Sequence, residues 1–469
     1  MGVRCLIGVV VALVALAALA GCGGSADRVA STQARDGERP SISGGAGDVG
    51  SVRAEAEASV AQVDYYGWKA FKLTNGLVTA VVVPEIGGRI MEYKLGAHPF
   101  LWSNPAEYGK RYDSPRNKAE RVWRNFGGYK VWPAPQSEWG GPPDPLGSTL
   151  DGGRWEGKAL TKSGPSVTVE LTSPADATVT GLQITRRVTM YAGTTRLQVR
   201  ESFKNVSKRE VTWSIWTITQ VPGALQPGVK ASPQAKVYFP LDPKSKQRDG
   251  FTVFSGADTK QWRKIAGGKV LEASYAGKVA KIGADSDGGW IASVDDLHGF
   301  TFAQVFEPAS GNYPDSGSSV ELYTNGTDLP YMEMEVLSPL HKIAPDGEFT
   351  SETNWYCAKL GGPVVKATDV AAIKTSPSGA RKGTLLTVTG ELAVFAPGAI
   401  ELEFTGEVGK TLGASNPVQV SPASGGAIRV TGTIPEGAQH AFLVLADARG
   451  QKVGNVAEVP LTTGLAKAP

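Results

Sequence analysis

Short apolar runs, each closed by glycine, proline, asparagine or aspartate, constrain this chain more than any other feature. They recur at 77–83, 167–171, 182–190, 196–203, 211–218, 290–294, 301–306, 320–323 and 331–337. Pro84 with Gly87-Gly88 closes the first run, and Ala344-Pro345-Asp346-Gly347 follows the last. A helical period is suggested only around 115–124. Runs of this length with turn residues between them are strands of an antiparallel sandwich, so the spacing predicts an all-β, large antiparallel super-sandwich over residues 61–362. A boundary follows at Gly361-Gly362-Pro363. Beyond it the runs 385–389, 400–404, 427–431 and 441–445 predict a small Ig-like β-sandwich over 363–469. That segment holds no Trp and no cluster of acid and base groups, and reads as a spacer or docking module.

The N-terminus fixes the expected compartment. Arg4 precedes an apolar run at 6–20, too short for a comfortable bilayer span and suited to a signal-peptide core. The run ends in Leu19-Ala20-Gly21-Cys22, which resembles the bacterial lipobox. Residues 1–21 are therefore expected to be a lipoprotein signal peptide and Cys22 the lipidated residue. Residues 22–60 are small and charged, and read as a flexible tether. Several acyl chains on one residue exceed what stable anchoring needs. The expectation is a cell-envelope protein, lipid-anchored to a bacterial membrane, with its body in the periplasm or at the cell surface. Of the 3 cysteines, Cys5 leaves with the signal and Cys22 is acylated. Cys357 is then alone, which excludes an internal disulfide and a cysteine metal site; it reads as a small buried hydrophobe. The net charge of +3 carries no basic block, so nucleic acid is not an expected partner.

Familiar catalytic signatures are absent: no G-x-S-x-G, no P-loop, no H-E-x-x-H and no G-x-G-x-x-G entering a helix. Asp285-Ser286-Asp287-Gly288-Gly289 lacks a calcium loop's spacing, because Trp290 stands where the sharp turn needs glycine. The 4 His are scattered, at 98, 298, 341 and 440. Neither a metal nor a cofactor is expected.

Two constellations remain. In Tyr331-Met332-Glu333-Met334-Glu335-Val336-Leu337, strand alternation puts Tyr331, Glu333 and Glu335 on one side and Met332, Met334 and Val336 on the other. Paired carboxylates bind sugar hydroxyls or raise each other's pKa for base chemistry; the same alternation also fits a solvated outer face. The second stretch runs from Asn125-Phe126-Gly127-Gly128-Tyr129-Lys130-Val131-Trp132-Pro133-Ala134-Pro135-Gln136 to Trp139 and Pro142-Pro143-Asp144-Pro145. Five of the 11 Trp (102, 123, 132, 139 and 155) lie in or near it. It reads as a rigid loop offering flat apolar faces beside polar groups, the mixed surface a sugar presents; alternatively its Trp rings plug the mouth of the sandwich.

Across residues 65–360 the chain resembles the galactose mutarotase-like (aldose 1-epimerase-like) superfamily, and within it an uncharacterised bacterial branch. The resemblance rests on Leu73-Thr74-Asn75-Gly76 with Pro84-Glu85-Ile86-Gly87-Gly88-Arg89-Ile90, on 182–213 with Asn205-Val206-Ser207, and on Glu333-Met334-Glu335 through Pro345-Asp346-Gly347-Glu348 to Trp355. It implies a sugar cleft across one sheet. It also implies a catalytic Glu, for which Glu335 and Glu333 are the candidates, with Arg89, Asn125, Lys130, Trp132, Gln136 and Trp139 as sugar-binding residues. The family's catalytic His, expected a dozen or so residues after Asn205, is replaced by Ile215-Trp216-Thr217-Ile218-Thr219-Gln220; His98, His298 and His341 are the only substitutes the fold could bring in. The leading expectation is an envelope lipoprotein that binds, or binds and processes, carbohydrate. The alternatives are an active aldose 1-epimerase or other sugar-modifying enzyme with Glu as base, and a structural envelope protein with a vestigial cleft.

The anchoring expectation has a direct test. Cys22→Ser should abolish acylation and shift the chain out of the membrane fraction; continued acylation and membrane fractionation of the variant would refute the lipobox reading.

Overall fold

The structure, a computed structural model, describes residues 57–111, 123–140 and 150–461. The signal, Cys22, most of the tether, residues 115–122 and Pro142–Pro145 fall outside that range. Among the described residues no helix is long and apolar enough to cross a membrane.

The fold is all-β. A 13-stranded and a 10-stranded antiparallel sheet carry the body, and residues 366–459 add a four- and a five-stranded sheet. The strands that matter for the site are β1 (Ala58–Tyr65), β2 (Trp68–Thr74), β3 (Val78–Val83), β4 (Arg89–Leu95), β5 (Tyr129–Ala134), β6 (Leu182–Tyr191), β7 (Leu197–Asn205), β8 (Val211–Pro222), β9 (Ala280–Ala284), β10 (Val320–Thr324) and β11 (Tyr331–Leu337). In the large sheet they lie in the order β9-β10-β11-β8-β5-β4-β3-β2-β1, while β6 and β7 sit in the second sheet. Alternation decides which face each presents. On β6, Leu182, Ile184, Val188 and Met190 are fully buried while their neighbours are partly exposed. Met332, Met334 and Val336 of β11 likewise enter the core.

Two expectations change. The tether was expected to run to residue 60, but β1 already pairs with β2 from Ser59. The supposed binding loop is largely a central strand: Tyr129–Ala134 pairs with β8 from Tyr129↔Thr219 to Ala134↔Ser214. Pro133 disguises it, since proline cannot donate to a ladder and argues against a strand interior. The strand tolerates it because β5 meets β4 at one position only, Ile90↔Tyr129, which leaves the Pro133 end without a second neighbour in register.

The C-terminal sheets have a core of their own, built from Ile373, Val388, Leu402, Phe404 and Leu443 among others. They also share a buried cluster with the body, in which Phe395 stacks on Tyr356 at 4.8 Å. The Phe395 carbonyl accepts the Thr195 N–H at 2.8 Å. The seam between them is thus packed and hydrogen-bonded.

A buried ion pair joins the two large sheets through the core. Arg186, in the middle of the apolar face of β6, faces Glu201 of β7 in register, and Arg186 Nε donates to Glu201 Oε1 at 2.5 Å. Tyr129 Oη on β5 donates to the same oxygen at 2.8 Å. Arg186 Nη1 donates to the Gly88 carbonyl just before β4. The guanidinium also lies over the rings of Tyr129 and Trp155, at 4.7 and 5.1 Å. Gly88 has φ 59°, and a Cβ there would stand 2.7 Å from the Trp155 ring, so only glycine brings that carbonyl in. Burial raises the Glu201 pKa while Arg186 opposes the rise.

Removing one partner leaves a buried charge alone. Glu201→Leu should cost about 3–5 kcal/mol in urea unfolding, and Arg186→Met with Glu201→Leu should recover most of it. Equal losses in the single and double variants would show that the pair is not the coupling element.

Candidate functional site on the outer face of the large sheet

The registers of the large sheet assemble a continuous patch of chemistry on the face turned away from the second sheet. One cross-strand row reads Lys130 (β5), Ile218 (β8), Glu335 (β11), Glu321 (β10). The next reads Gln220 (β8), Glu333 (β11), Tyr323 (β10), Lys281 (β9). Trp132 and Trp216 pair one step along. Period-two alternation then puts Lys130 with Trp132, Trp216 with Gln220, and Tyr331 with Glu333 and Glu335 on this face.

The patch has two halves. In the first, Lys281 Nζ lies 2.7 Å from Glu321 Oε2 and 3.2 Å from Glu335 Oε2. Trp216 Nε1 donates to Glu335 Oε2 at 2.7 Å, and Lys281 stands over the Trp216 ring at 4.5 Å. Glu321 and Glu335 are 0% and 1% exposed and directly opposite in the ladder, an arrangement that is unfavourable when both are charged. One lysine serves two carboxyls. Burial, and then the neighbouring Glu321, outweigh Lys281 and push the Glu335 pKa up to about 7. Burial also raises Glu321, and both carboxyls hold Lys281 above its usual range against its own desolvation.

In the second half, Gln220 Nε2 donates to Glu333 Oε1 at 2.7 Å, while the buried Gln220 Oε1 has no hydrogen-bond partner among the described residues. Lys130 Nζ is 3.9 Å from Glu333 Oε1, beyond hydrogen-bond reach, and 3.8 Å from the centre of the Trp132 ring. Its side chain is only 3% exposed, so burial lowers its pKa, with Glu333 opposing. Burial raises the Glu333 pKa, with Lys130 opposing. The half-buried Trp102 tilts against Tyr331, with ring centres 4.8 Å apart.

The sequence candidates separate by exposure. Glu333 is partly open, and Glu335 lies beside it but almost wholly enclosed. Asn125, 5% exposed, precedes β5 beside Tyr331, whose phenol pKa is pushed far above its usual range by burial, with Asn125 only weakly opposing. Arg89 is fully buried: Nη2 donates to Asp151 Oδ1 at 2.8 Å and Nη1 to the Gly127 carbonyl at 3.1 Å. Arg89, expected as a sugar-binding residue, is thus enclosed beneath the face rather than open on it. Trp132 needs the same correction as a stacking surface, because Lys130 covers its ring, Trp139 and Trp216 pack against it edge to face, and Nε1 donates to Asp151 Oδ1 at 2.8 Å. Trp139 is 4% exposed and donates to the Pro133 carbonyl. Gln136 is exposed in a short 3-10 turn beyond β5, and no side-chain hydrogen bond joins it to the patch among the described residues.

No histidine enters. His98 and His298 both lie beside Asp295, His341 stacks on Phe349 and His440 pairs with Glu458. Among the described residues no group of three or more His, Cys, Asp or Glu is placed to hold a metal ion. The sequence reading missed Gln220, Trp216, Lys281, Glu321 and Asp151. Alternation along β8 could have flagged Trp216 and Gln220 once that strand was placed; nothing local marks Lys281 or Asp151.

The sequence profile of a family described as a domain of unknown function (DUF4380) matches residues 69–358. No curated protein matches the chain in sequence. Among solved structures it is similar to a TPR-domain containing protein from Parabacteroides distasonis ATCC 8503, at 12% identity and TM-score 0.43 over 64% of this chain and 49% of the other. The chain thus spans about half the length of that protein. It is also similar to a galactose mutarotase-like protein from Clostridium acetobutylicum, at 11% identity and TM-score 0.42 over 64% of this chain and 98% of the other. A putative mutarotase from Salmonella typhimurium gives 11% identity and TM-score 0.42, over 64% and 94%.

The carboxyl pair predicts a pH signature. With Glu335 at about 7 in the folded chain against an ordinary 4.5, the native state holds the extra proton between those values. Its contribution to stability therefore falls as pH rises from about 4.5 through about 7, and is flat above. Urea midpoints for wild type should drop from pH 5 to pH 8, and Glu335→Gln should flatten the slope. Parallel profiles for the two would sink this assignment.

Proposed function

Because the chain belongs to the DUF4380 family, whose description assigns no activity, we propose from the chemistry of the outer face itself that the protein binds a neutral carbohydrate there. One observation carries the reading. Lys130 is a buried cation with no hydrogen-bond acceptor among the described residues, held 3.9 Å from a partly open carboxylate. An oxygen about 2.8 Å from both atoms fits between them, accepting from the ammonium and donating to Glu333. A hydroxyl does both; a carboxylate or phosphate cannot donate. Gln220 Nε2 holds Glu333 Oε1 in place at 2.7 Å, and Trp102 supplies a half-buried ring for a C–H face. The resemblance of residues 65–360 to mutarotase-like proteins points the same way. Carried on a lipid at Cys22, the face would work at the cell envelope.

A second reading, ring opening of the bound sugar by acid–base catalysis, takes its support from the Glu335 carboxyl near 7, but at 1% exposure that group stands behind Glu333, so the binding reading leads. Polarimetry on a freshly dissolved anomer separates the two readings: binding without faster interconversion leaves a binding protein.

Lys130→Met keeps the stem and removes the donors, so it should cost about 1.5–3 kcal/mol of sugar binding by calorimetry, and Glu333→Gln a comparable amount. Gln136→Ala should be near neutral. If Lys130→Met and Glu333→Gln both bind like wild type while folded, the site lies elsewhere.

A further inference from the structure

The hairpin joining β1 and β2 breaks a local rule. Tyr65 pairs with Trp68, leaving Tyr66 and Gly67 as a two-residue turn with φ of 52° and 88°. Both central positions of such a turn need positive φ, and the first favours Asn, Asp or Gly. A bulky tyrosine there is a backbone outlier. Nor is its side chain buried in compensation, since Tyr66 is 57% exposed.

The surroundings hold the ring in place rather than bury it. Tyr66 stacks on Tyr108 with centres 4.1 Å apart and planes 12° from parallel, and Tyr65 meets Tyr66 edge-on at 4.7 Å. The turn lies directly on a second glycine, since a Cβ on Gly67 would come 3.3 Å from Gly109 Cα. Arg111 Nη2 donates to the Gly67 carbonyl at 3.0 Å and fixes the tip. The platform also connects to the site. Tyr108 Oη and Ser103 Oγ are hydrogen-bonded at 2.7 Å, and Ser103 follows Trp102, whose N–H donates to the Gln220 carbonyl at 2.8 Å. Ser103 thus stands between the Tyr108 hydroxyl and Trp102, whose ring tilts against Tyr331 on the strand that carries Glu333.

We propose that Tyr66, stacked on Tyr108, is an outlying sugar subsite, and that the ligand is an oligosaccharide extending from the Lys130–Glu333 site across Trp102 to the Tyr66 ring. This rests on the carbohydrate reading and adds chain length to it. A strained, open ring continuous with a hydroxyl-binding site suits a second sugar's apolar face, and the cost of holding it is met before the ligand arrives.

The test is an array of mono- to hexasaccharides probed with the full-length chain and its Tyr66→Asn and Lys130→Met variants, beside thermal melts. Asparagine is at home in this turn, so Tyr66→Asn should keep the wild-type Tm within about 2 °C. It should weaken the longer oligosaccharides about 10-fold and leave monosaccharides unchanged, whereas Lys130→Met should weaken every length. Wild-type affinity that does not rise with length, or a Tyr66→Asn loss equal at all lengths, overturns the subsite and leaves the carbohydrate site standing. A large Tm drop in Tyr66→Asn overturns it in favour of a packing role. If instead the variant loses flotation with phosphatidylglycerol vesicles at unchanged glycan affinity, the ring is a membrane contact. A wild type that binds no member of the array removes both readings.

Discussion

The ion pair between Arg186 and Glu201 is the constraint on which the rest of the body depends. It lies between two large sheets whose facing side chains are mostly apolar, with the Gln304–Thr219 hydrogen bond as a second polar link, and it cannot relax toward water. Every donor and acceptor it needs must come from the fold. Tyr129 and the Gly88 carbonyl supply two of them, while Arg186 Nη2 and Glu201 Oε2 have no hydrogen-bond partner among the described residues; the two groups belong to the strand that carries Lys130 and to the turn that launches Arg89. A buried pair of this kind adds little net stability compared with an apolar substitute, but breaking it is costly. Its effect is therefore to fix the register and orientation of β5 and β4 against the second sheet. Lys130 and Trp132, which project from the opposite side of β5, inherit that precision.

The outer face spends stability in a different manner. Two carboxyls meet across a ladder with one lysine between them, a lysine rests on an indole without an acceptor, and a glutamine carbonyl is buried unpaired. Each arrangement costs free energy that an apolar side chain would not. They gather on one face, over five adjacent strands, while inward residues of these strands include Met332, Met334, Val131 and Ile215. Concentrated unsatisfied polarity beside a well-packed core is the pattern of a surface shaped for a ligand rather than for folding. Below it, Asp151 joins Arg89, Trp132 and Trp123, so residues that look like ligand contacts in the sequence act as the support beneath them.

Sequence and structure divide along physical lines. Strand identity over 182–190, 211–218 and 331–337 was legible because alternation and turn residues are local properties of the chain. So was the side of β11 on which Glu333 and Glu335 stand. The strand at Tyr129–Ala134 was not legible, because Pro133 is excluded from strand interiors by a rule about hydrogen bonding to both neighbours, and only the tertiary structure shows that one neighbour is missing there. Which aromatic rings are open was likewise undetermined. Trp132 and Trp102 look alike in sequence, yet the first is enclosed by Trp139, Trp216 and Lys130 and the second is half free. Lys281 lies 40 residues from Glu321 and 54 from Glu335, and Gln220 lies 113 from Glu333, contacts set by strand order and register. The sequence by itself determined an all-β chain with its carboxylates on one strand face; the packing of two sheets decided which charges are buried, which are paired and which stay partly open, because burial and pairing depend on strands far apart in the chain.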